Sequence, residues 1–178
     1  AYVVPKSEWK VLESLKMNQI EIKSISRDTA ITVEVYTIDD FKTYKTPYEG
    51  HYPHYNTYVK AHKESIHFSK GDFIVKTDQK GYRYLLETLE PEATDSFFNW
   101  NFFDTVLQQK EGFSPYVFED LAKEILEKDP DLRDRFNQKK REDPTFSKDS
   151  NMQLEFIYNH SKYKEGNYLK YPIYRITD

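Results

Sequence analysis

Ile31-Thr32-Val33-Glu34-Val35-Tyr36 alternates apolar and polar side chains with a period of two, the signature of a half-buried β-strand. The fold is read outward from this strand. Toward the N-terminus, Tyr2-Val3-Val4 is a short apolar run closed by Pro5, and Ile20, Ile22 and Ile25 resume an extended pattern. Between them Val11, Leu12 and Leu15 share one helical face, with Trp9 beside them. Ser7 is placed to cap that helix and Asn18 to end it in a left-handed conformation. A strand, helix, strand start of this length makes its two strands parallel if they are neighbours in one sheet.

Toward the C-terminus, two prolines and a glycine in Thr46–Tyr58 predict a long loop. Strands over about 64–68 and 73–76 flank Ser69-Lys70-Gly71-Asp72, which reads as a hairpin turn. The pattern then turns helical. Tyr82, Leu85, Leu86 and Leu89 fall on one face and Pro91 stops that helix. A next helix, capped by Thr94 or Asp95, would be apolar nearly all round, with Phe98, Phe102 and Val106 on one line and Trp100, Phe103 and Leu107 on another. Ser114-Pro115 and Asp129-Pro130 are two helix starts, Asp143-Pro144 marks a further break, and Leu154, Ile157 and Tyr158 anchor a last helix near 151–160. Tyr171-Pro172-Ile173-Tyr174-Arg175-Ile176 reads as a final edge strand, where a proline is tolerated.

These elements predict an α+β fold: a small mixed sheet from the N-terminal half, with a βαβ start, packed against four to five helices from the C-terminal half. The whole of 1–178 reads as one domain, mainly β with one helix over 1–78, mainly helical over 79–165, and closed by a strand in 166–178. A second independent core is not expected at this length.

Composition narrows the function classes. With 30 acidic and 26 basic residues the net charge is −4, which argues against a broad phosphate-binding face and so against nucleic acid. The chain has no cysteine, so disulfides, thiolate zinc sites and cysteine nucleophiles are excluded. No apolar run reaches the roughly 20 residues a membrane span requires. A start on Ala1-Tyr2-Val3-Val4 without Met reads as an internal piece of a longer protein. Aromatic residues make up 16% of the chain, with fifteen Tyr and twelve Phe, so much of the core must be aromatic and half-wet.

No catalytic constellation is complete. Glu49, His51 and His54 are the best metal candidates, yet Pro53 forbids the helix that would align both histidines, so a polar aromatic loop is the preferred reading. His62 and His67 read as structural or solvated, and His160 as a helix-end cation. Glu90, Glu92 and Asp95 around Pro91 read as capping and solvation. Five glycines leave no phosphate-cradling loop. Tyr44, Tyr48, Tyr52, Tyr55 and Tyr58 recur every three or four residues across loop 44–58. Exposed, they would stack on a glycan or anchor a peptide; the preferred reading folds them under, over the sheet or an intramolecular partner.

Leu85-Leu86-Glu87-Thr88-Leu89-Glu90-Pro91-Glu92-Ala93-Thr94-Asp95-Ser96, then Trp100-Asn101-Phe102-Phe103-Asp104 and Gln109-Lys110-Glu111, resemble the C-terminal region of bacterial zinc-carboxypeptidase-like proteins. Asp129-Pro130 with Leu132 and Phe136, Asp143-Pro144 with Phe146, Tyr171-Pro172-Ile173-Tyr174-Arg175, the opening residues and Tyr48-Glu49-Gly50-His51 extend the resemblance over nearly the whole chain. In that family a zinc held by His-x-x-Glu and a distant His activates water. Here no His is followed by Glu three residues on: those positions hold His54, Thr57, Ser65, Lys70 and Tyr163. The resemblance therefore implies a zinc-dependent peptidase domain upstream, in a parent acting in the periplasm or outside the cell. This segment would carry no catalytic, cofactor or metal ligand of its own, and would pack on that upstream peptidase domain to stabilise it or shape substrate access.

Overall fold

The computed structural model describes residues 1–109, 112–164 and 166–177. Lys110 and Glu111 of the Gln109-Lys110-Glu111 motif lie outside the described residues. The α+β class is what the structure shows, with its βαβ start and with five helices from the later part of the chain. The chain divides into two compact units, 1–108 with 167–178, and 109–166.

The first unit is built on a six-stranded sheet, ordered β2-β5-β1-β6-β3-β4. Its strands are β1 (Tyr2–Val4), β2 (Lys23–Ser24), β3 (Thr29–Thr43), β4 (His54–Phe68), β5 (Phe73–Val75) and β6 (Tyr174–Arg175). β1 and β2 run the same way as the βαβ start requires. They are not neighbours, because β5 lies between them and pairs antiparallel with both. Since β5 does not pair with β4, Ser69-Lys70-Gly71-Asp72 joins two separated strands and is not the hairpin turn expected. The last strand is interior: β6 pairs with β1 on one side and β3 on the other. Pro172 is tolerated for a different reason from that expected. Continuing the pairing of Tyr2 with Arg175 and Val3 with Tyr174 puts Pro172 opposite Pro5, one step past the end of β1, where no donor is required.

Alternation along β3 divides its side chains between two cores. Val33 and Val35 join Val3, Ile25 and Phe68 on one face of the sheet. Tyr36 and Ile38 join Tyr2, Val4, Tyr171 and Ile173 on the other, where α1 (Trp9–Met17) contributes Val11, Leu12 and Leu15, and α2 (Tyr82–Leu89) contributes Leu85 and Leu89. The ends of α1 differ from expectation. The residue before its first turn is Glu8, to which Ser7 donates its hydroxyl, and the left-handed residue is Gln19 at φ 59° while Asn18 donates its side-chain amide to the Ser14 carbonyl. α2 begins after Gly81 at φ 88°, where a Cβ would lie 2.6 Å from Ile20 Cδ1.

The all-apolar stretch after Pro91 is not the expected α-helix. It runs as turns ending in a 3₁₀ turn at Asp104–Leu107. Its side chains explain why: Ser96 donates to the Pro91 carbonyl, Asn99 donates to the carbonyls of Ala93 and Thr94, and Asn101 is left-handed at φ 63°. Polar side chains thus take the carbonyls a helix would use. Burial holds only in part: of the residues expected inside, Phe98 and Phe103 are 0% and 2% exposed, whereas Trp100, Phe102, Val106 and Leu107 are half-buried.

The second unit is four helices, α3 (Pro115–Lys128), α4 (Pro130–Glu142), α5 (Pro144–Lys148) and α6 (Ser150–Asn159). Its core is separate: Phe118, Ala122, Phe136, Phe146, Ile157 and Tyr158 pack together. A single core was expected, and the helical stretch instead carries its own. Asp129, Asp143 and Asp149 cap α4, α5 and α6 by accepting backbone N–H groups of their first turns.

Candidate functional site: an aromatic cavity at the end of the β3–β4 hairpin

The predicted loop is shorter than expected. β3 and β4 each run for 15 residues, so His54–Tyr58 belong to a strand, and only 44–53 turn the chain. Tyr48 and His51 exchange backbone hydrogen bonds of 2.8 and 2.9 Å around Glu49 and Gly50, both at positive φ, which closes the hairpin tightly. Register shifts between Ile38 and Asp40 and between Asp40 and Lys42 break the alternation. Such bulges re-aim side chains, and here they let the far end of the hairpin face segment 91–104.

Segment 91–104 is tied to β4 along its outer edge. The His54 N–H donates to the Asn99 carbonyl at 2.8 Å, the Thr57 hydroxyl to Asn99 Oδ1 at 2.7 Å, and the Val59 N–H to Glu92 Oε1 at 3.0 Å. Further along, β4 is the sheet's edge strand, with Lys60, Lys63 and Glu64 exposed, charges of the kind that discourage pairing with another chain.

His54 forms the pivot of this junction. Its ring lies between Phe41 and Phe98, with centroids 4.7 and 5.0 Å away. Nε2 is 3.0 Å from Asp104 Oδ1 and Nδ1 is 2.8 Å from Thr43 Oγ1. With Nε2–H donated to the carboxylate, Nδ1 accepts the Thr43 hydroxyl. Both nitrogens are thereby used and the ring is held between two phenylalanines, so hydroxyl, imidazole and carboxylate in relay-like order act as a pin. Asn101 completes the pin by donating to the Tyr52 carbonyl at 3.0 Å, while its buried Oδ1 has no partner among the described residues.

Glu49, His51 and His54 are not brought together. His51 turns its ring toward Trp100, 5.7 Å away edge-on, while His54 points to Thr43 and Asp104. Among the described residues no group of three or more His, Asp or Glu is placed to hold a metal ion. His62 pairs with Glu64 at 3.3 Å on the exposed strand, and His160 Nδ1 lies 2.7 Å from the Phe156 carbonyl at the end of α6.

The tyrosines are not folded under. Tyr44, Tyr48, Tyr52 and Tyr58 are 51%, 62%, 52% and 58% exposed. Tyr44 stacks on Tyr55 at 4.4 Å, and with Tyr58 and Trp100 they wall a cavity of about 570 Å³ whose floor includes His54, Thr57 and Asn99 and whose rim carries Glu92 and Asp95. Sequence spacing gave the tyrosines but not Trp100, Glu92 and Asp95, because those arrive on a segment whose path is set by Asn99 and Ser96.

A second polar cluster was not visible in the sequence at all. Glu90 accepts the Tyr2 hydroxyl at 2.5 Å and lies 3.7 Å from Arg175 Nε. Arg175 donates to the Tyr36 hydroxyl, which donates to Glu34. Burial, followed by the Glu90 contact, pushes the Tyr2 phenol well above its ordinary range, and burial does the same to Tyr36 and to Tyr171, whose hydroxyl donates to the Leu89 carbonyl at 2.9 Å. Glu90 is therefore a partner of buried tyrosines and not the solvated acid expected. This cluster cross-links β1, β3, β6 and α2 and reads as structural.

Comparison with protein-family models, with curated proteins and with solved structures finds no match to this chain. Among the described residues no helix is long and apolar enough to cross a membrane.

Proposed function

We propose that this chain is a noncatalytic accessory domain of a zinc carboxypeptidase-like metallopeptidase, and that it serves its parent by holding a segment of peptide or glycan in the aromatic cavity. The observation that carries the binding role is the wall of Tyr44, Tyr55, Tyr58 and Trp100 around about 570 Å³, a size and composition suited to a ligand. The parent's identity rests on the sequence resemblance. Its zinc belongs to the upstream peptidase domain, and the parent works in the periplasm or outside the cell. Titrating the chain with peptide and oligosaccharide panels, followed by the Trp100 indole signal in NMR, tests the binding role. Saturable shifts at Trp100 that fall about tenfold in affinity on Trp100→Ala are expected. No shift with either class of ligand would refute it.

A second reading has the exposed rings seat on the upstream domain, buttressing it or narrowing its cleft. Tyr48 and Tyr52, which stand outside the cavity wall and are 62% and 52% exposed, favour it. Deleting this segment from the parent should then change both its stability and its rate of peptide hydrolysis. Unchanged values for both would remove this reading.

A further inference from the structure

We infer that the cavity takes a basic side chain, lysine or arginine, presented by an extended peptide. The inference rests on the binding role just proposed and narrows it to one ligand chemistry.

Charge is the first argument. The wall and rim supply four aromatic rings and the carboxylates of Glu92 and Asp95, and no lysine or arginine lines the cavity. Neither carboxylate is neutralised. Glu92 is fixed by the Val59 N–H through Oε1 alone, and Asp95 makes no hydrogen bond or ion pair among the described residues. Ring faces and unpaired carboxylates both attract cations, and the combination repels a phosphate, a uronate or a peptide carboxylate.

Saturation of the floor is the second. A sugar held in a pocket is oriented by fixed donors and acceptors beneath it. Here the buried polar groups are committed within the protein. The Thr57 hydroxyl is given to Asn99 Oδ1, the Asn99 amide to the carbonyls of Ala93 and Thr94, and the two His54 nitrogens to Thr43 and Asp104. Apart from the exposed side chains of Asn56 and Thr94 and the tyrosine hydroxyls, what faces a ligand is aromatic surface and negative charge at the rim, which suits an aliphatic stem ending in a cation. The volume of about 570 Å³ admits such a side chain together with its flanking backbone.

The test uses the whole chain carrying Trp9→Phe, so that Trp100 alone reports by fluorescence. Blocked tripeptides with arginine, lysine, citrulline, norleucine or glutamate at the centre are titrated beside neutral chito- and cello-oligosaccharides. Arginine and lysine peptides should bind, with citrulline and norleucine about tenfold weaker and glutamate undetectable. Raising sodium chloride to about 0.5 M should weaken the basic peptides about threefold and leave the neutral ones unchanged. Glu92→Gln keeps an acceptor for Val59 and Asp95→Asn removes no contact, so both variants should fold. Each should weaken arginine-peptide binding about threefold, and the pair about tenfold. Equal binding of norleucine and arginine peptides, or arginine binding indifferent to both substitutions, overturns the inference. Tight binding of a neutral oligosaccharide through Trp100, without basic peptides, overturns it while leaving the binding role standing. No ligand perturbing Trp100 overturns both.

Discussion

The two compact units bury similar residues by opposite routes. The helical unit, 109–166, closes its core over Phe118, Phe136, Phe146 and Tyr158 with helices that follow one another directly along the chain. The sheet unit closes only when the last residues return: Tyr171 and Ile173 fill the core begun by Tyr2 and Val4, and β6 slots between β1 and β3. One is a product of local rules and the other of a contact spanning nearly the whole chain. Cooperativity should therefore differ, with the sheet unit hostage to its final strand.

The largest expected effect tests that division. Tyr171→Ala empties a fully buried site in the sheet unit, and Phe146→Ala one that is 1% exposed in the helical unit. Each should cost its own unit about 3–5 kcal/mol. Native-state hydrogen exchange resolves the two. Amides of β1, β3 and β6 should lose protection in the first variant while those of α3, α4 and α6 keep theirs, and the reverse should hold in the second. Loss of protection in both units from either substitution would break the comparison.

The same contrast explains what could be read from the sequence. Asp129-Pro130 sets cap and first turn by local chemistry, and α4 starts where the residues say; Asp143-Pro144, read as a break, starts the short α5 by the same chemistry. The 31–36 alternation is likewise local, but β3 runs on to Thr43 through bulges at 38–42 that no period-two pattern records. Segment 94–103 misleads for the opposite reason. Phe97, Phe98 and Phe103 are buried while Trp100 and Phe102 are half-buried, and Ser96 and Asn99 spend their side chains on nearby carbonyls and so decide against a helix. The cavity was half legible: the tyrosine spacing announces an aromatic surface, whereas Trp100, Glu92 and Asp95 reach it only through that non-helical path. The meeting of Glu90 with Tyr2 and Arg175 lies beyond any local pattern, being set by strand order.

An intermediate effect follows from those buried phenols. Burial raises Tyr2, Tyr36 and Tyr171 above their ordinary value near pH 10, so the folded sheet unit holds them neutral. A raised folded-state value means this contribution is complete below about pH 10 and is lost as pH climbs above it toward the folded value. In urea unfolding from about pH 8 to about pH 11, stability of the sheet unit should hold and then fall, by about 1.4 kcal/mol per pH unit for each phenol that must ionise. Tyr2→Phe should make the fall shallower. A fall as steep in that variant as in the parent chain would show that Tyr2 does not titrate on unfolding.

The smallest effect sharpens the local side of the comparison. α5 begins at Pro144 after Asp143, whose Oδ1 accepts the N–H groups of Thr145 and Phe146 at 2.9 and 3.0 Å. α3 begins at Pro115 after Ser114, whose side chain makes no capping bond. Both positions show the same signal in the sequence, a capping residue before proline, and only one uses it. Asp143→Ala should cost about 1 kcal/mol, because two first-turn donors lose their acceptor and a negative charge leaves the helix N-terminus. Ser114→Ala should change stability by no more than a few tenths of a kcal/mol. Paired urea melts of the two variants measure the difference. Equal losses would mean that proline at the first helical position, and not the side-chain acceptor, sets these starts.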